Sequence, residues 1–498
     1  MMTEGMTACL RTARSNRAAL TITALALLIA CPAFAQTSQP AQAESATKQA
    51  APEASAPAKE PPVDEFVAWP CPDAALRNEP KVPPYAKPLN QFGFPGAEKI
   101  DWFDFGMEHR TRFEHRDDDY RKPNLQENDV FLQRSRAYMG IEKIFDPIRF
   151  AVEFQDSRSF NDTFPLTTTE VDENDFAMAY GELFFKDGLG KNRPLAFQAG
   201  RMNFDYTDSH TLTRSRWANV STSFDGFRLQ FGEPKNDWQV DVFGAQPVER
   251  RLRRPDHGDD ERWLYGVEGA WRRWQKYITL EPYYLILDED RKNYATPDRT
   301  VHTLGLRGFG PIGKTGFDYD VDTMFQTGND GHRQVRAFAA TSDVGYTFQH
   351  NWKPRLSVVT LYASGDQDPD DKLNERVIRL FDSTFPYCPD GYFTLQNVIS
   401  PRLRLEARPT EKLRMETSYA VYWLASGNDS WGTIGRVDGT GHSGDFVGQQ
   451  ADVRVRYQVN SHLEFDIGYS HFLTGTFVRN TGPSNESDYL WVATTIRL

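Results

Sequence analysis

The sequence predicts an all-β protein: a single antiparallel transmembrane β-barrel of about 18 strands with a disordered N-terminal extension. Three observations predict this fold. Apolar and charged residues alternate with a period of two over most of residues 100–498, as they do in strands with two different faces. Short turns alternate with longer polar loops along the same region, and the chain begins with an export signal.

Residues 1–35 are predicted to be a signal peptide. Arginines precede the apolar run ALTITALALLIA, and Ala33-Phe34-Ala35 forms an A-x-A cleavage site. The same segment contains Leu28-Ile29-Ala30-Cys31, which is similar to a lipoprotein processing box and would leave a lipidated Cys31. A proline directly after the cysteine is unusual in such a box, so cleavage after residue 35 is the favoured interpretation.

The next two segments are not predicted to form strands. Residues 36–64 consist mainly of Ala, Pro, Gln, Glu and Ser, and we expect a disordered linker because almost nothing in them can be buried. Residues 65–99 contain aromatic residues and prolines, and we expect an irregular periplasmic segment there. An oxidising periplasm permits a disulfide between Cys71 and Cys388, but the sequence leaves the bridged and the free states equally open.

The predicted barrel, residues 100–498, begins with the stretch FDFGMEHRTRFEHR. Phe103, Phe105 and Met107 occupy odd positions, whereas the even positions carry Asp, Gly, Glu and Arg. In a soluble sandwich the apolar face of such a strand turns inward and the charged face meets solvent. In a membrane barrel the apolar face meets lipid and the charged face lines a wet lumen. One strand does not separate these alternatives.

The spacing of the turns separates them. Between consecutive short turns lie two strand-like runs and one longer polar loop, so eight turns join 16 strands, and one further strand at each end makes 18. An even strand number with short turns on one side and long loops on the other is typical of an outer-membrane barrel. The short turns lie at residues 145–147, 187–194, 232–237, 271–276, 310–316, 350–354, 408–412 and 459–462.

Composition excludes several other classes of protein. The mean hydropathy of −0.61 is too low for a polytopic helical membrane protein. The chain is acidic, with a formal net charge of −12, and rich in Tyr and Trp, so nucleic acid is not expected as a partner. We expect a monomer in the outer membrane of a Gram-negative cell, with membrane lipid around it.

The inward faces of the predicted strands carry many arginines and carboxylates. Guanidinium groups suit carboxylates and sugar hydroxyls, and arginines that face carboxylates across a pore form a polar track for a substrate. The alternative is that these ions pair across neighbouring strands and only fill the barrel. The predicted pore-lining residues are Arg110, Arg112, Arg134, Arg136, Arg149, Arg404, Arg454, Arg456, Asp452 and Asp466.

Neither a cofactor nor a catalytic site is predicted. Asp366, Asp368 and Asp370 have the spacing of calcium ligands. However, Asp371 and Val377 stand where an EF-hand loop needs Gly and Glu, so an ordinary solvated loop is favoured. The histidines are scattered, and neither H-E-x-x-H nor G-x-S-x-G occurs, so we do not expect an enzyme.

A set of short motifs follows the strand pattern in a fixed order. The motifs are AYGELFF (179–185), LAFQAGRMNFDY (195–206) with its Gly200-Arg201, SFDGFRL (223–229), ASGDQDPDD (363–371), VGQQAD (447–452) and FLTG (472–475). Together they resemble the alginate-export family of outer-membrane proteins, and the resemblance covers most of residues 100–498.

The resemblance implies a channel for alginate or a similar polysaccharide, with arginines along the pore and Arg134 or Arg136 in one of these places. We therefore expect passive export of an anionic or hydroxyl-rich exopolysaccharide, with periplasmic export proteins as further partners. The alternative is a substrate-selective porin that takes small anions or oligosaccharides inward. The substrate is left open because some expected arginines are replaced, by Gly181, Asn203, Asp466 and Gly468.

Overall fold

The structure is a computed structural model, and it describes residues 82–207, 210–290 and 298–498. The predicted signal peptide (residues 1–35) and the predicted linker (residues 36–64) lie outside the described residues. The same holds for Cys31 and Cys71, so the lipidation and disulfide alternatives stay open. Cys388 is buried, and its thiol donates to Oε1 of Gln450 over 3.1 Å.

Eighteen long strands form the wall of the barrel. In chain order they are β1 (Phe103–Asp117), β2 (Asn128–Ile141), β3 (Ile148–Phe160), β4 (Asp172–Phe185), β5 (Leu195–Met202), β6 (Phe224–Phe231), β7 (Trp238–Glu249), β8 (Arg262–Trp271), β9 (Thr279–Glu289), β10 (Arg299–Pro311), β11 (Phe317–Asp330), β12 (Arg333–Thr347), β13 (Arg355–Ala363), β14 (Val398–Thr410), β15 (Leu413–Trp423), β16 (Phe446–Asn460), β17 (Leu463–Thr474) and β18 (Ser487–Arg497).

The sheet closes on itself. Each strand pairs antiparallel with its neighbours in the chain, and β18 returns to pair with β1. The closing register runs from Glu108 opposite Arg497 to Asp117 opposite Asp488. The predicted fold class, a closed antiparallel barrel of 18 strands, is therefore confirmed.

The period of two in the sequence decides which face of the wall is apolar. In β1 every even-numbered residue from Asp104 to Arg116 is buried, whereas Met107 on the outer face is 46% exposed. Leu304 of β10 is 62% exposed in the same way. Large apolar side chains that stay uncovered around a closed wall form the surface that contacts lipid.

Eight short turns connect the strands at one end of the barrel, and all eight fall at the predicted positions. At the other end the connections are longer, with one exception. Residues 331–332 form a two-residue turn between β11 and β12, and Gly331 adopts the positive φ of 61° that such tight hairpins favour. The prediction of a long loop was wrong here, because the ladder of these two strands continues to the pair Asp330–Arg333.

The remaining regular elements are short. Three small strands, Ala86–Pro88, His257–Gly258 and Leu373–Asn374, add to the sheet, and helix α1 (Thr476–Thr481) follows β17. The 3-10 turns are Leu89–Gln91 and Pro123–Leu125. Within the part of the chain that the structure describes, no helix is long and apolar enough to cross a bilayer.

Candidate functional site in the barrel lumen

All ten predicted pore-lining residues belong to the inner face of the wall. Nine of them are at most 9% exposed, and Arg149 is half-buried. An inner wall facing a wide water-filled channel would be more exposed than this, so other parts of the chain must cover it. Two long loops provide most of the cover.

These two loops cross the lumen and meet inside it. They are the β5–β6 loop (residues 203–207 and 210–223) and the β13–β14 loop (residues 364–397), and we call them together the lumen partition. The main-chain N–H of Thr213 donates to the carbonyl of Phe381 over 3.1 Å, and the N–H of Phe381 donates to the carbonyl of Thr211 over 2.9 Å. The rings of Trp217 and Phe385 stack at 4.0 Å.

Arginines of β1 and β2 hold the partition by its backbone. Arg110 donates to the carbonyl oxygens of Arg216, Trp217 and Ala218 over 3.0–3.1 Å. Arg112 donates to the Trp217 carbonyl over 2.6 Å. Arg134 donates to the carbonyls of Arg216 and Ala218, each over 3.0 Å. The sequence predicted the direction of these side chains, but not that the chain itself would supply their acceptors.

Carboxylates neutralise only part of this wall. Glu108 lies 3.0 Å from Arg134 and 3.2 Å from Arg497, and Glu114 lies 2.7 Å from Arg112. Among the described residues, none places a carboxylate oxygen within ion-pair distance of Arg110. The guanidinium group of Arg110 therefore donates from its two terminal nitrogens to neutral carbonyls, which carry no charge to cancel its own, while its Nε has no hydrogen-bond partner in the described part of the chain.

Arg136 binds both the wall and the partition. It donates to Oε1 of Gln155 over 3.1 Å and to the hydroxyl of Ser221. Its Nε also lies 3.5 Å from Glu153, which accepts a 2.7 Å hydrogen bond from Arg214 of the β5–β6 loop. This loop is thus attached to β1, β2 and β3 by a connected set of charged groups.

The charged groups on β12, β14, β16 and β17 are closer to the alternative in which ions of the inner face pair across neighbouring strands. Arg454 donates from Nε to Asp466 over 3.0 Å, and Arg404 forms a salt bridge with Asp343. Asp452 accepts hydrogen bonds from Ser418, Gln450 and Ser470 over 2.7–2.9 Å. The two ion pairs cancel their own charges and so contribute little net charge to the lumen, whereas the partners of Asp452 are neutral.

Arg149 and Arg456 complete the set of predicted residues. The guanidinium of Arg149 lies 3.6 Å above the ring of Phe184, near the short-turn end of the barrel. Arg456 lies opposite Arg414 in the ladder of β15 and β16, so two cations share that part of the wall. Whether any of the ten residues contacts a substrate remains a prediction.

A cluster of buried aromatic side chains, missed by the sequence analysis, fills the long-loop end of the lumen. We call it the aromatic core, and it joins three loops to β17. The rings of Tyr120 and Tyr392 lie 5.5 Å apart, and Trp431 donates from Nε1 to the Tyr392 carbonyl over 3.0 Å. Phe472 of β17 lies 6.0 Å from Trp431, and Phe393 lies 5.5 Å from it. Aromatic residues in long loops show no periodicity, so no sequence signal indicated this packing.

Carboxylates also come together near the long-loop end of β4. Single oxygens of Asp172, Asp175 and Asp256 lie within 4.8 Å of one another. Burial raises the pKa of Asp256 to about 6, and the charge of Asp175 adds to this effect. Arg201, the arginine of the Gly200-Arg201 motif, lies 3.4 Å from Asp175 of β4 and 2.8 Å from Asp225 of β6, so it joins strands of the wall.

The residues with calcium-like spacing have other partners. Asp366 forms a salt bridge with Arg333, and Asp368 accepts a hydrogen bond from the N–H of Asp370 over 3.2 Å. Asp368 and Asp370 are exposed, whereas Asp366 is buried. These contacts describe a loop that is held by its own hydrogen bonds.

The sequence model of a family described as alginate export matches residues 101–493. The chain belongs to the alginate export family. This membership confirms the resemblance drawn from the motifs, and with the closed barrel it makes the protein an outer-membrane channel of a Gram-negative cell. A comparison with curated proteins finds no match.

Solved structures show the same fold in other outer-membrane proteins. OpdQ of Pseudomonas aeruginosa is 14% identical, with a TM-score of 0.52, over 80% of this chain and 98% of OpdQ. OprD of Pseudomonas aeruginosa is 11% identical, with a TM-score of 0.50, over 80% of this chain and 93% of OprD. OccAB3 of Acinetobacter baumannii is 13% identical, with a TM-score of 0.52, over 80% of this chain and 99% of OccAB3.

This member of the alginate export family has a physical reason to lack an arginine at Gly468. A β-carbon added at Gly468 would overlap the indole ring of Trp491, which fills the space over that part of β17. Trp491 in turn donates from Nε1 to Asp466 over 3.2 Å. Trp491 therefore occupies the space that an arginine at position 468 would need.

Proposed function

We propose that the protein is a passive channel through which an anionic or hydroxyl-rich exopolysaccharide leaves the cell. The bonding of Arg110, Arg112 and Arg134 to main-chain carbonyls of the partition carries this proposal. A carbonyl satisfies an N–H group without cancelling the charge of the guanidinium. A positive stripe therefore lies along the wall formed by β1 and β2, although the whole chain is acidic.

Carboxylates and sugar hydroxyls of a polymer can take the place of these carbonyls. The planar fork of arginine binds a carboxylate with two parallel hydrogen bonds, and such charged pairs are stronger than bonds to a neutral acceptor. Each exchange frees part of the β5–β6 loop from the wall. Binding of the polymer and opening of the partition are thus coupled in this proposal.

A passive pore has no direction of its own. We propose that synthesis and periplasmic delivery keep the polymer concentrated on the inner side, and that periplasmic export proteins are the partners that deliver it. In this proposal the barrel performs no chemistry on the polymer, so the proposal includes the prediction that the protein is not an enzyme.

A second candidate function is uptake of small anions or oligosaccharides. The observation in its favour is the tight crossing of the lumen by the partition, with Trp217 stacked on Phe385 at 4.0 Å. A small solute needs a smaller opening between these loops than a polymer chain does. The arginine stripe would select anions in this case too.

Planar-bilayer recording with a panel of blockers tests the proposal. We expect anion selectivity that weakens with salt, because the Debye length falls from roughly 10 Å at 0.1 M to roughly 3 Å at 1 M. The double variant R110Q/R134Q should lose much of the selectivity. It leaves no carboxylate without a cation, because Glu108 keeps Arg497 at 3.2 Å. A polyuronate should block the wild-type current, and a neutral glucan should block it less.

The matched control is R158A, which removes an arginine from the outer face of β3, where Arg158 pairs with Asp156 at 2.9 Å. It should keep the wild-type selectivity. A cation-selective wild type, or unchanged selectivity in R110Q/R134Q, would contradict the role of the stripe. Block by small anions without block by a polyuronate would favour uptake.

A further inference from the structure

Part of the N-terminal segment that precedes β1 lies inside the barrel. Tyr85 is 5% exposed and packs against Tyr138, Ala151 and Met178, which line the lumen on β2, β3 and β4. Val82 and Ala86 pack against the same group. The N-terminal segment (residues 82–88) therefore enters the part of the lumen next to these three strands with Val82, Tyr85 and Ala86.

The direction of this segment follows from its pairing with β1. Ala86 lies opposite Gly106 and Pro88 lies opposite Asp104, in an antiparallel ladder. β1 starts at the short-turn end of the barrel, so Ala86 lies deeper in the barrel than Pro88. The edge of β1 is open to this segment because β18 reaches only as far as the pair Glu108–Arg497.

The backbone of the segment packs directly against Gly106 of β1. A β-carbon at this position would overlap the carbonyl group of Tyr85 and the Cα of Ala86. The three nearest atoms all belong to residues 85 and 86, so the segment makes the closest contacts that exclude a side chain here. Gly106 has no positive φ and lies in a regular strand, so alanine fits the strand itself.

The hydroxyl of Tyr85 is buried without a hydrogen-bond partner among the described residues, and it feels the charges of the groups that hold the partition. Burial raises the pKa of Tyr85 well above its ordinary value, with a further contribution from Glu153, so the side chain stays neutral. Arg136 and Arg214 act on the same hydroxyl in the opposite sense. The segment and the β5–β6 loop thus approach one group of side chains from two ends of the barrel.

We propose that residues 82–88 are a plug that closes the short-turn end of the lumen and must leave before any solute passes. The plug and the lumen partition lie in series, so each can limit the current by itself. The proposal requires only that the barrel is a channel, and it stands for export and for uptake alike.

The variant Gly106→Ala tests the plug. Its methyl group should displace Tyr85 from its position over residue 106. The open probability in planar bilayers should then rise by roughly tenfold, a factor that corresponds to about 1.4 kcal/mol. Gly181→Ala is the matched control. It makes the same change in a strand, but the nearest atom to its added β-carbon is 3.8 Å away, so its open probability should equal that of the wild type.

A crosslink gives the opposite change in the same assay. Lys87 lies opposite Phe105 in the ladder, and paired positions on antiparallel strands are close enough for a disulfide. In a chain with Cys71 replaced by serine, oxidised K87C/F105C should open less than the wild type, and a reductant should restore the openings. Heat-modifiable migration on gels verifies that each variant is folded.

Opposite responses to the methyl group and the crosslink support the plug. Wild-type openings in both folded variants would overturn it, because neither release nor locking of the segment would then matter. If Gly106→Ala does not fold, the crosslink decides alone: an oxidised form that opens as often as its reduced form overturns the proposal.

Discussion

At the scale of single residues, Asp390 of the β13–β14 loop links docking of the partition to protons. Its side chain is fully buried, and the carbonyl of the same residue accepts a 3.2 Å hydrogen bond from Arg116. Burial and the nearby Asp452 raise the pKa of Asp390 to about 8, against the opposing charges of Arg116 and Arg121. Between these two pKa values, the ordinary one of about 4 and the raised one of about 8, the Asp390 carboxyl holds a proton in the docked loop and has lost it in the free loop.

We predict that the channel opens more often as pH rises from 5 to 8. The free loop has the ordinary Asp pKa of about 4 and the docked loop has the raised one, so docking is strongest at low pH. It weakens by about 1.4 kcal/mol per pH unit between the two values and is constant above the upper one. Single-channel recording at several pH values measures this slope.

Asp390→Asn should flatten the pH dependence, because the amide cannot ionise. The control is Asp370→Asn, which changes an exposed carboxyl of the same loop and should keep the wild-type slope. A wild type whose open probability does not change with pH would contradict the role given to Asp390.

Single residues also show which features of the candidate site the sequence predicts. The alternation in β1 and β2 places Arg110 and Arg134 on the inner face, and the structure has them there. Their acceptors, the carbonyls of residues 216–218, belong to a loop whose sequence has no period. A strand pattern predicts the direction of a side chain, but it does not predict which distant segment of backbone accepts its hydrogen bonds.

At the scale of elements, the outer face of β10 should tolerate only apolar residues at its centre. Leu304 lies in the middle of the strand and is 62% exposed toward lipid. We predict that Leu304→Arg lowers the free energy of unfolding by roughly 2–4 kcal/mol, the penalty for arginine at the midplane of a bilayer. Urea unfolding in lipid vesicles measures this change. Leu304→Phe, which stays apolar, should unfold close to the wild type, and equal stability of both variants would place β10 outside the membrane.

The elements were predictable where turns mark them. Eight short turns, seven of which contain Gly, Pro, Asn or Asp, divided the chain into strand pairs, and the strands lie between them. The connection at residues 331–332 was missed, although a glycine such as Gly331 at the first position of a two-residue turn is a known hairpin signal. The surrounding polar residues resembled a loop, but a barrel strand that extends beyond the membrane needs no apolar face and continues its ladder in water.

At the scale of the whole molecule, the barrel should have one orientation in the outer membrane. We predict that the long loops face outside and the short turns face the periplasm, as is usual for such barrels. On whole cells, an impermeant thiol reagent should label cysteines placed at Asp370 and Gly439, in two long loops. A cysteine at Glu411, in the short turn after β14, should react only once the outer membrane is permeabilised. Labelling of Glu411→Cys on intact cells, with no labelling of the other two, would reverse the orientation.

The aromatic core makes the loops of this channel one cooperative body. Tyr120, Tyr392, Trp431 and Phe472 come from three different loops and one strand, and each of them packs against at least one of the others. No loop can swing away alone without exposing rings that the others leave behind, and a shared hydrophobic core favours all-or-none unpacking. The current through this protein should therefore consist of long closed periods and abrupt openings of full amplitude. Each opening would correspond to cooperative unpacking of the loops inside the wall, much as a small globular domain unfolds and refolds.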